Sequence, residues 1–251
     1  MSGHSKWSKI KRKKGATDTK RSQMFSRMSK EITIAVKEGG STDPDMNARL
    51  RLAIQNAKGG NMSKDVIERA ISKGEKDESN YEFLTFEGYA PGGVAVFIEC
   101  LSDNNNRTVS AVRSIFTKHN GSLGTNGSLS FIFTRKGIFE ISKETISIDM
   151  DELELELIDA GLEEIEQDET SITLTCALDD FGSMQKKLEE LSIEATNAEL
   201  KRIPQTTTQL DIHEAKKVLR IIDAFDECED VSMVYHNLEM TDELEQAIEE
   251  L

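Results

Sequence analysis

The chain has 251 residues, with 31 Lys/Arg against 46 Asp/Glu and a formal net charge of −15. Hydrophobic residues at 37% and charged residues at 31% suit packed cores and are too apolar for general disorder. No apolar run approaches the ~20 residues of a membrane-spanning helix, so an integral membrane protein of that kind is excluded.

The average charge hides two unlike parts. Residues 1–78 carry 18 Lys/Arg and 10 Asp/Glu, a net of +8, while residues 79–251 carry 13 and 36, a net of −23. Such asymmetry points the N-terminal part toward a polyanion and the remainder away from one. Within residues 1–16 the bases Lys6, Lys9, Lys11, Arg12, Lys13 and Lys14 occur with no acid and no apolar periodicity, which reads as a basic arm. No apolar segment follows them, so the start does not read as a secretory signal. Ser2 rather than Gly stands after Met1, so it is no myristoylation site.

From Asp18 the pattern turns helical, with Phe25, Met28, Ile32 and Ala35/Val36 on one face and Gly39 as a stop. Asp43-Pro44 predicts the cap and first residue of a second helix bearing Leu50, Ala53, Ile54 and Ala57, ending at Gly59-Gly60. Ser63 predicts the cap of a third, with Val66, Ile67, Ala70 and Ile71, closed by Gly74. Beyond residue 80 strands begin. Tyr81–Tyr89 and Val94–Leu101 flank the turn Ala90-Pro91-Gly92-Gly93, then a helix carries Val109, Val112 and Phe116. A loop punctuated by Gly121, Gly124 and Gly127 leads to a strand expected at Leu129–Thr134. Next come a strand at 137–142, a helix near 151–160, strands at 163–167 and 171–177, a helix at 180–191 and a strand at 193–203. This β-α-β-β-α-β order is that of a ferredoxin-like unit. Its first helix is ambiguous, since Leu153, Leu155 and Leu157 alternate as in a strand, but Asp149 or Asp151 before it and Gly161 after it favour a helix. Asp211 and Glu214 form a capping box that opens another helix, and a strand follows at Val231–His236.

The expected fold is α+β. A three-helix domain at 1–78 precedes a split α+β domain at 79–135 and 205–240, which carries a second ferredoxin-like α+β domain inserted at 136–204, with an acidic tail at 241–251.

Few residues suit catalysis. His4, His119, His213 and His236 are scattered, with no ligand spacing for a metal, and no nucleophile has an evident base. Phosphate-binding glycine motifs are absent. Cys100, Cys176 and Cys228 read as small buried hydrophobes in a reducing compartment. The 11 acids and no bases of Asp149–Glu169 read as a solvated, anion-repelling face, with a protein-contact surface as the alternative. Gly121–Gly127 holds two overlapping G-x-x-G units. They are read as a flexible hairpin-like loop rather than the backbone clamp of KH modules, which sits between two helices. The strongest signal is the basic arm, because Lys and Arg neutralise phosphates and release counterions. Trp7 within it either stacks on a base or anchors the arm. Lys20, Arg21, Arg27 and Lys30 extend the charge along the first helix, with Lys20, Arg27 and Lys30 as a stripe apart from its apolar face.

With these residues in view, the chain resembles the YebC family, which includes the mitochondrial translational activator of cytochrome oxidase. The resemblance spans nearly the whole length. It is carried by Gly3-His4-Ser5-Lys6-Trp7 with Lys9-Ile10-Lys11, and by Phe86-Glu87-Gly88-Tyr89-Ala90-Pro91-Gly92-Gly93. Further matches are Asp103-Asn104-Asn105-Asn106-Arg107-Thr108 and Gly121-Ser122-Leu123-Gly124 with Gly127-Ser128. Ala90 stands where the family usually has Gly, and Asn105 where a basic residue is common. The resemblance implies three domains and a cytoplasmic regulator without catalysis, cofactor, metal or small-molecule substrate. Many such proteins are described as DNA-binding transcriptional regulators; others resemble ribosome-associated translation factors, for which ribosomal RNA and ribosomal proteins are the expected partners. Both readings stay open, and the nucleic-acid contacts expected under either are Lys6, Trp7, Lys9, Lys11, Arg12, Lys13, Lys14, Lys20, Arg21, Arg27 and Lys30.

Overall fold

The computed structural model describes residues 18–76, 81–146 and 148–249, apart from the side chains of 18–20 and 249. The helices α1 (Asp18–Gly39), α2 (Ala48–Gly59) and α3 (Lys64–Lys76) come first. Ile32, Ala35 and Val36 of α1 pack on Leu50 and Ala57 of α2 and on Ile67 and Ala70 of α3, with Phe25 and Met28 at the margin. α1 and α3 approach to backbone contact: a Cβ on Gly74 would lie 2.7 Å from the Thr33 carbonyl oxygen. Gly74 therefore serves close packing rather than termination, and α3 runs on to Lys76. The start of α2 also departs from expectation. Asp43 Oδ1 accepts the Asp45 N–H (3.0 Å) in a local turn, and the cap is the buried Asn47. Its Oδ1 accepts from Leu50 N–H (3.0 Å) while its Nδ2 donates to the Ala35 carbonyl of α1 (2.7 Å). One side chain thus starts α2 and ties it to α1.

The strands β1 (Glu82–Tyr89) and β2 (Ala95–Ser102) form an antiparallel pair, followed by α4 (Asn105–Lys118) and the two-residue β3 (Ser122–Leu123). Ala90 has φ −80°, and the positive φ values fall on Gly92 and Gly93. Alanine at 90 is therefore compatible with this turn. The strand expected at Leu129–Thr134 begins only at Phe133, and β4 continues without a break to Ser142. Residues 126–132 form turns instead, because the Gly127 and Leu129 N–H groups are taken by the Glu87 carboxylate and not by a ladder.

After β4 come α5 (Met150–Ile158), β5 (Leu162–Gln167), β6 (Ser171–Ala177), α6 (Phe181–Glu190) and β7 (Ala195–Pro204). Their sheet has the order β5-β6-β4-β7, the ferredoxin-like arrangement. Phe139, Ile141, Ile172, Leu174 and Cys176 bury one face against Leu153 and Leu157 of α5 and Met184 and Leu188 of α6. Leu153 and Leu157 are four apart and face inward on a helix opened by Asp149, while the alternating Leu155 points to solvent. The chain then closes the first module with α7 (Ile212–Asp226) and β8 (Val231–His236), and α8 (Asp242–Glu249) follows. This second sheet has the order β3-β1-β2-β8, with Val96, Ile98 and Cys100 packed on Val112 and Phe116 of α4 and on Val218, Ile222 and Phe225 of α7.

The described residues divide into two compact units: those of Met24–Asp77 with Arg135–Arg202, and those of Met1–Gln23, Glu78–Thr134 and Ile203–Leu251. At the base of the insertion, Gln205 N–H donates to the Ile132 carbonyl at 2.8 Å. In the first unit α2 guards the edge strand β7. Asn56 Nδ2 donates to the Ala198 carbonyl and its Oδ1 accepts the Ala198 N–H, both at 2.9 Å. Gln55 Nε2 donates to the Ala195 carbonyl at 2.8 Å. An unpaired edge is thereby satisfied by amide side chains. The approach is tight, since a Cβ on Gly59 would fall 1.7 Å from the Thr196 carbonyl oxygen. Asn56→Ala is expected to cost about 2 kcal/mol by leaving an edge N–H and carbonyl unmet. Gly59→Ala should cost more, because backbone has no rotamer to retreat into. Equilibrium urea unfolding of each variant measures both.

Candidate nucleic-acid interface

The helix α1 presents its apolar face to α2 and α3, and its charged residues lie on the remaining positions. Arg21 is exposed, and Arg27 and Lys30 are half-buried. Lys20 lies in the first turn, where only the backbone is described, and Lys6, Trp7, Lys9, Lys11, Arg12, Lys13 and Lys14 lie outside the described residues. Two carboxylates of α1, Glu31 and Glu38, are matched by Arg49 of α2, at 3.9 Å for Glu31 and in close contact for Glu38. That pairing offsets negative charge on the helix that carries Arg27 and Lys30.

The motifs that carry the resemblance converge in the split module and act there mainly as framework. Glu87, on β1 and only 4% exposed, turns its carboxylate to the glycine loop. Oε1 accepts the Gly127 N–H (2.7 Å), and Oε2 accepts the Leu129 N–H (2.5 Å) and the Ser128 hydroxyl (3.3 Å). The Glu87 carbonyl also accepts the Gly124 N–H at 2.7 Å. The loop read as flexible is thus held by an anion among backbone donors, a charge-assisted arrangement. Nothing in the periodicity of the sequence signals this role, since alternation with Leu84 and Phe86 puts Glu87 on the sheet face away from the helices.

The second motif builds an ion-pair cluster. Asn104 caps α4 by accepting from Arg107 N–H (3.1 Å). Arg107 then donates through Nε and Nη2 to Asp230 (3.0 and 2.7 Å) and through Nη2 to Asp103 (2.8 Å). The hydrogen bond to Asp230, then that to Asp103, raises the Arg107 pKa further above its ordinary value. Thr108 Oγ1 completes the coordination of Asp230 at 2.9 Å. Asn105 occupies its place by donating to Glu82 Oε2 at 2.5 Å.

Other groups are spoken for. Burial, then the nearby Asp180 and Glu163, pushes the Cys176 thiol up to about 11, so it is no nucleophile near neutrality. Among the described residues no cluster of three or more His, Cys, Asp or Glu is placed to hold a metal ion, and no helix is long and apolar enough to cross a membrane. A cleft of about 470 Å³ beside α2 is lined by the bases Arg51 and Lys58 together with the acids Asp45, Glu189 and Glu194. Its mixed charge gives it no preference for an anion.

Comparison with known proteins gives the family. Residues 5–77 match the TACO1/YebC protein N-terminal domain, and residues 81–238 match the TACO1/YebC second and third domain. The chain belongs to the TACO1/YebC family. A relative from Chlorobaculum parvum is 47% identical over the full length of both chains, and one from Amoebophilus asiaticus is 48% identical over 95% of this chain and 98% of its own. Each is named "Probable transcriptional regulatory protein". A crystal structure of a conserved hypothetical protein from Aquifex aeolicus superposes with TM-score 0.76 at 36% identity, covering 88% of this chain and 91% of that one. Glu87→Gln would set an amide NH₂ against the loop's N–H donors. It is expected to cost about 2 kcal/mol, since hydrogen bonds to a charged group are lost. Faster hydrogen exchange at Gly127 and Leu129 should report the loosened loop.

Proposed function

We propose that this chain is a non-enzymatic, nucleic-acid-binding regulator of gene expression that acts in the cytoplasm through its basic N-terminal domain. The observation that carries this reading is the segregation of charge, +8 in residues 1–78 against −23 in the rest. Phosphate neutralisation by Lys6, Lys9, Lys11, Arg12, Lys13 and Lys14, continued by Lys20, Arg21, Arg27 and Lys30, supplies affinity without reading sequence, and Trp7 adds a stacking surface. The shared name of the relatives supports a role in transcription.

A second reading is a ribosome-associated translation factor, favoured by where the charge lies. The densest bases sit in an arm and not in a helix with Arg, Asn or Gln suited to base edges. The 11 acids of Asp149–Glu169 would be repelled by a long duplex. On a ribosome the same acids can face protein or solvent while the basic end enters RNA.

With six arm bases engaged, log affinity should fall against log salt with a slope of roughly −4 for a single strand and −5 for a duplex. Charge reversal at Arg12, Lys13 and Lys14 should weaken binding to all sequences alike and flatten that slope. Salt-independent binding would sink the reading. Gradient sedimentation of lysate with crosslinking separates the two targets: ribosomal co-migration with crosslinks to ribosomal RNA favours translation, and crosslinks at discrete promoters favour transcription.

A further inference from the structure

The −23 half of the chain contains one long exception to its acidity. From Asn104 to Phe139 there is no Asp or Glu, while Arg107, Arg113, Lys118, Arg135 and Lys136 all occur. This stretch includes the glycine loop. Arg113 and Lys118 are exposed on α4, and neither forms an ion pair among the described residues. Lys118 closes the helix just before Gly121.

The loop leaves the sheet edge at β3 and runs to the face of β1-β2-β8 opposite α4 and α7. On that face Leu129, Ile132 and Phe133 pack on Ala95, Phe97 and Tyr235. Within the same segment Phe131 is left 73% exposed. Strand alternation puts Phe83 on this face too, since Leu84 and Phe86 point to the helices, and Phe83 is 60% exposed. These are the large exposed aromatics among the described residues. The carboxylates of the face are turned inward: Glu87 lies under the loop, and Glu99 is 8% exposed with the Tyr235 hydroxyl 3.4 Å away. Gly127, at φ +88°, has nothing within 4 Å of where a Cβ would stand, so a backbone can come close there.

We propose that the loop Gly121–Phe131 and the helix-free sheet face form a second nucleic-acid site, which takes single-stranded nucleic acid by stacking bases on Phe131 and Phe83. It rests on the nucleic-acid reading above and adds the kind of ligand. Gly127 leaves room for the sugar-phosphate backbone, Lys118 at the end of α4 attracts it, and the Glu87 bonds to Gly127, Ser128 and Leu129 order the loop that carries Phe131 before binding. Ordering cost on association is thereby lowered. Stacking of this sort tolerates any base, because every base has a π face.

The test uses the full-length protein with a short single-stranded RNA carrying 2-aminopurine, its DNA counterpart and a blunt duplex. Phe131→Ala should weaken single-strand binding about tenfold and abolish the quenching of 2-aminopurine. Phe83→Ala should do so more weakly, and Phe131→Trp should restore both signals. Because no phosphate contact is removed, the salt slope and duplex affinity should not move. The single-stranded arm that loses more identifies the preferred sugar. Wild-type binding with single-strand affinity and quenching indifferent to both alanine variants would overturn this site alone. Loss in Phe131→Ala with a lowered melting temperature, unrescued by tryptophan, would overturn it as well. A wild-type protein that binds none of the three probes would instead overturn the proposed function.

Discussion

The split module depends on one ion pair joining parts of the chain far apart in sequence. Asp230, 4% exposed, stands just before β8 and takes two hydrogen bonds from the Arg107 guanidinium and one from the Thr108 hydroxyl, while its carbonyl accepts the Leu101 N–H. A buried carboxylate is tolerated only when its lone pairs are met, and here Arg107 and Thr108 of α4 meet them while β2 holds the Asp230 backbone carbonyl. The start of the last strand is thereby tied to both α4 and β2. Asn237 repeats the device at the other end of β8, where its Oδ1 accepts Ala95 N–H at 2.8 Å and its N–H meets the Ala95 carbonyl at 3.2 Å. Between them β8 is pinned at both ends onto β2.

Apolar periodicity made the helices and most strands readable from sequence, because it reports which face is buried. Phe25, Met28 and Ile32 on α1, or Met184 and Leu188 on α6, needed no tertiary knowledge. What was not readable depends on polar side chains reaching across the fold. Asn47 displaced Asp43 as a cap because it also meets Ala35. Leu129 left the expected strand because Glu87 takes its N–H. Neither partner has a local signature. The apolar alternation at 153, 155 and 157 was misleading for a different reason: Leu155 is 69% exposed and answers to no core.

On the proposed reading, charge and aromatic exposure divide the molecule's work between regions of opposite character. The basic N-terminal domain offers long-range attraction, which salt weakens. The acid-free stretch of the split module offers a short-range surface of glycine and phenylalanine, which salt leaves largely alone. The acids of α5 and β5 would discourage a duplex from lying along the inserted module. A ligand with unpaired bases satisfies all three conditions at once.

The hydrogen bond from Gln205 to Ile132 bears on how the chain reaches this state. It places the two ends of the insertion side by side, and β4 and β7, which begin and end it, are neighbours in one sheet. Once that sheet has formed, the roughly 70-residue excursion between the halves of the host module shrinks to a short effective loop, which lowers the entropy of bringing them together. The insert should thus behave as a folding template, and β8, which follows it in the chain, completes the host only after a closure already made upstream. Insertion here does not lengthen the search.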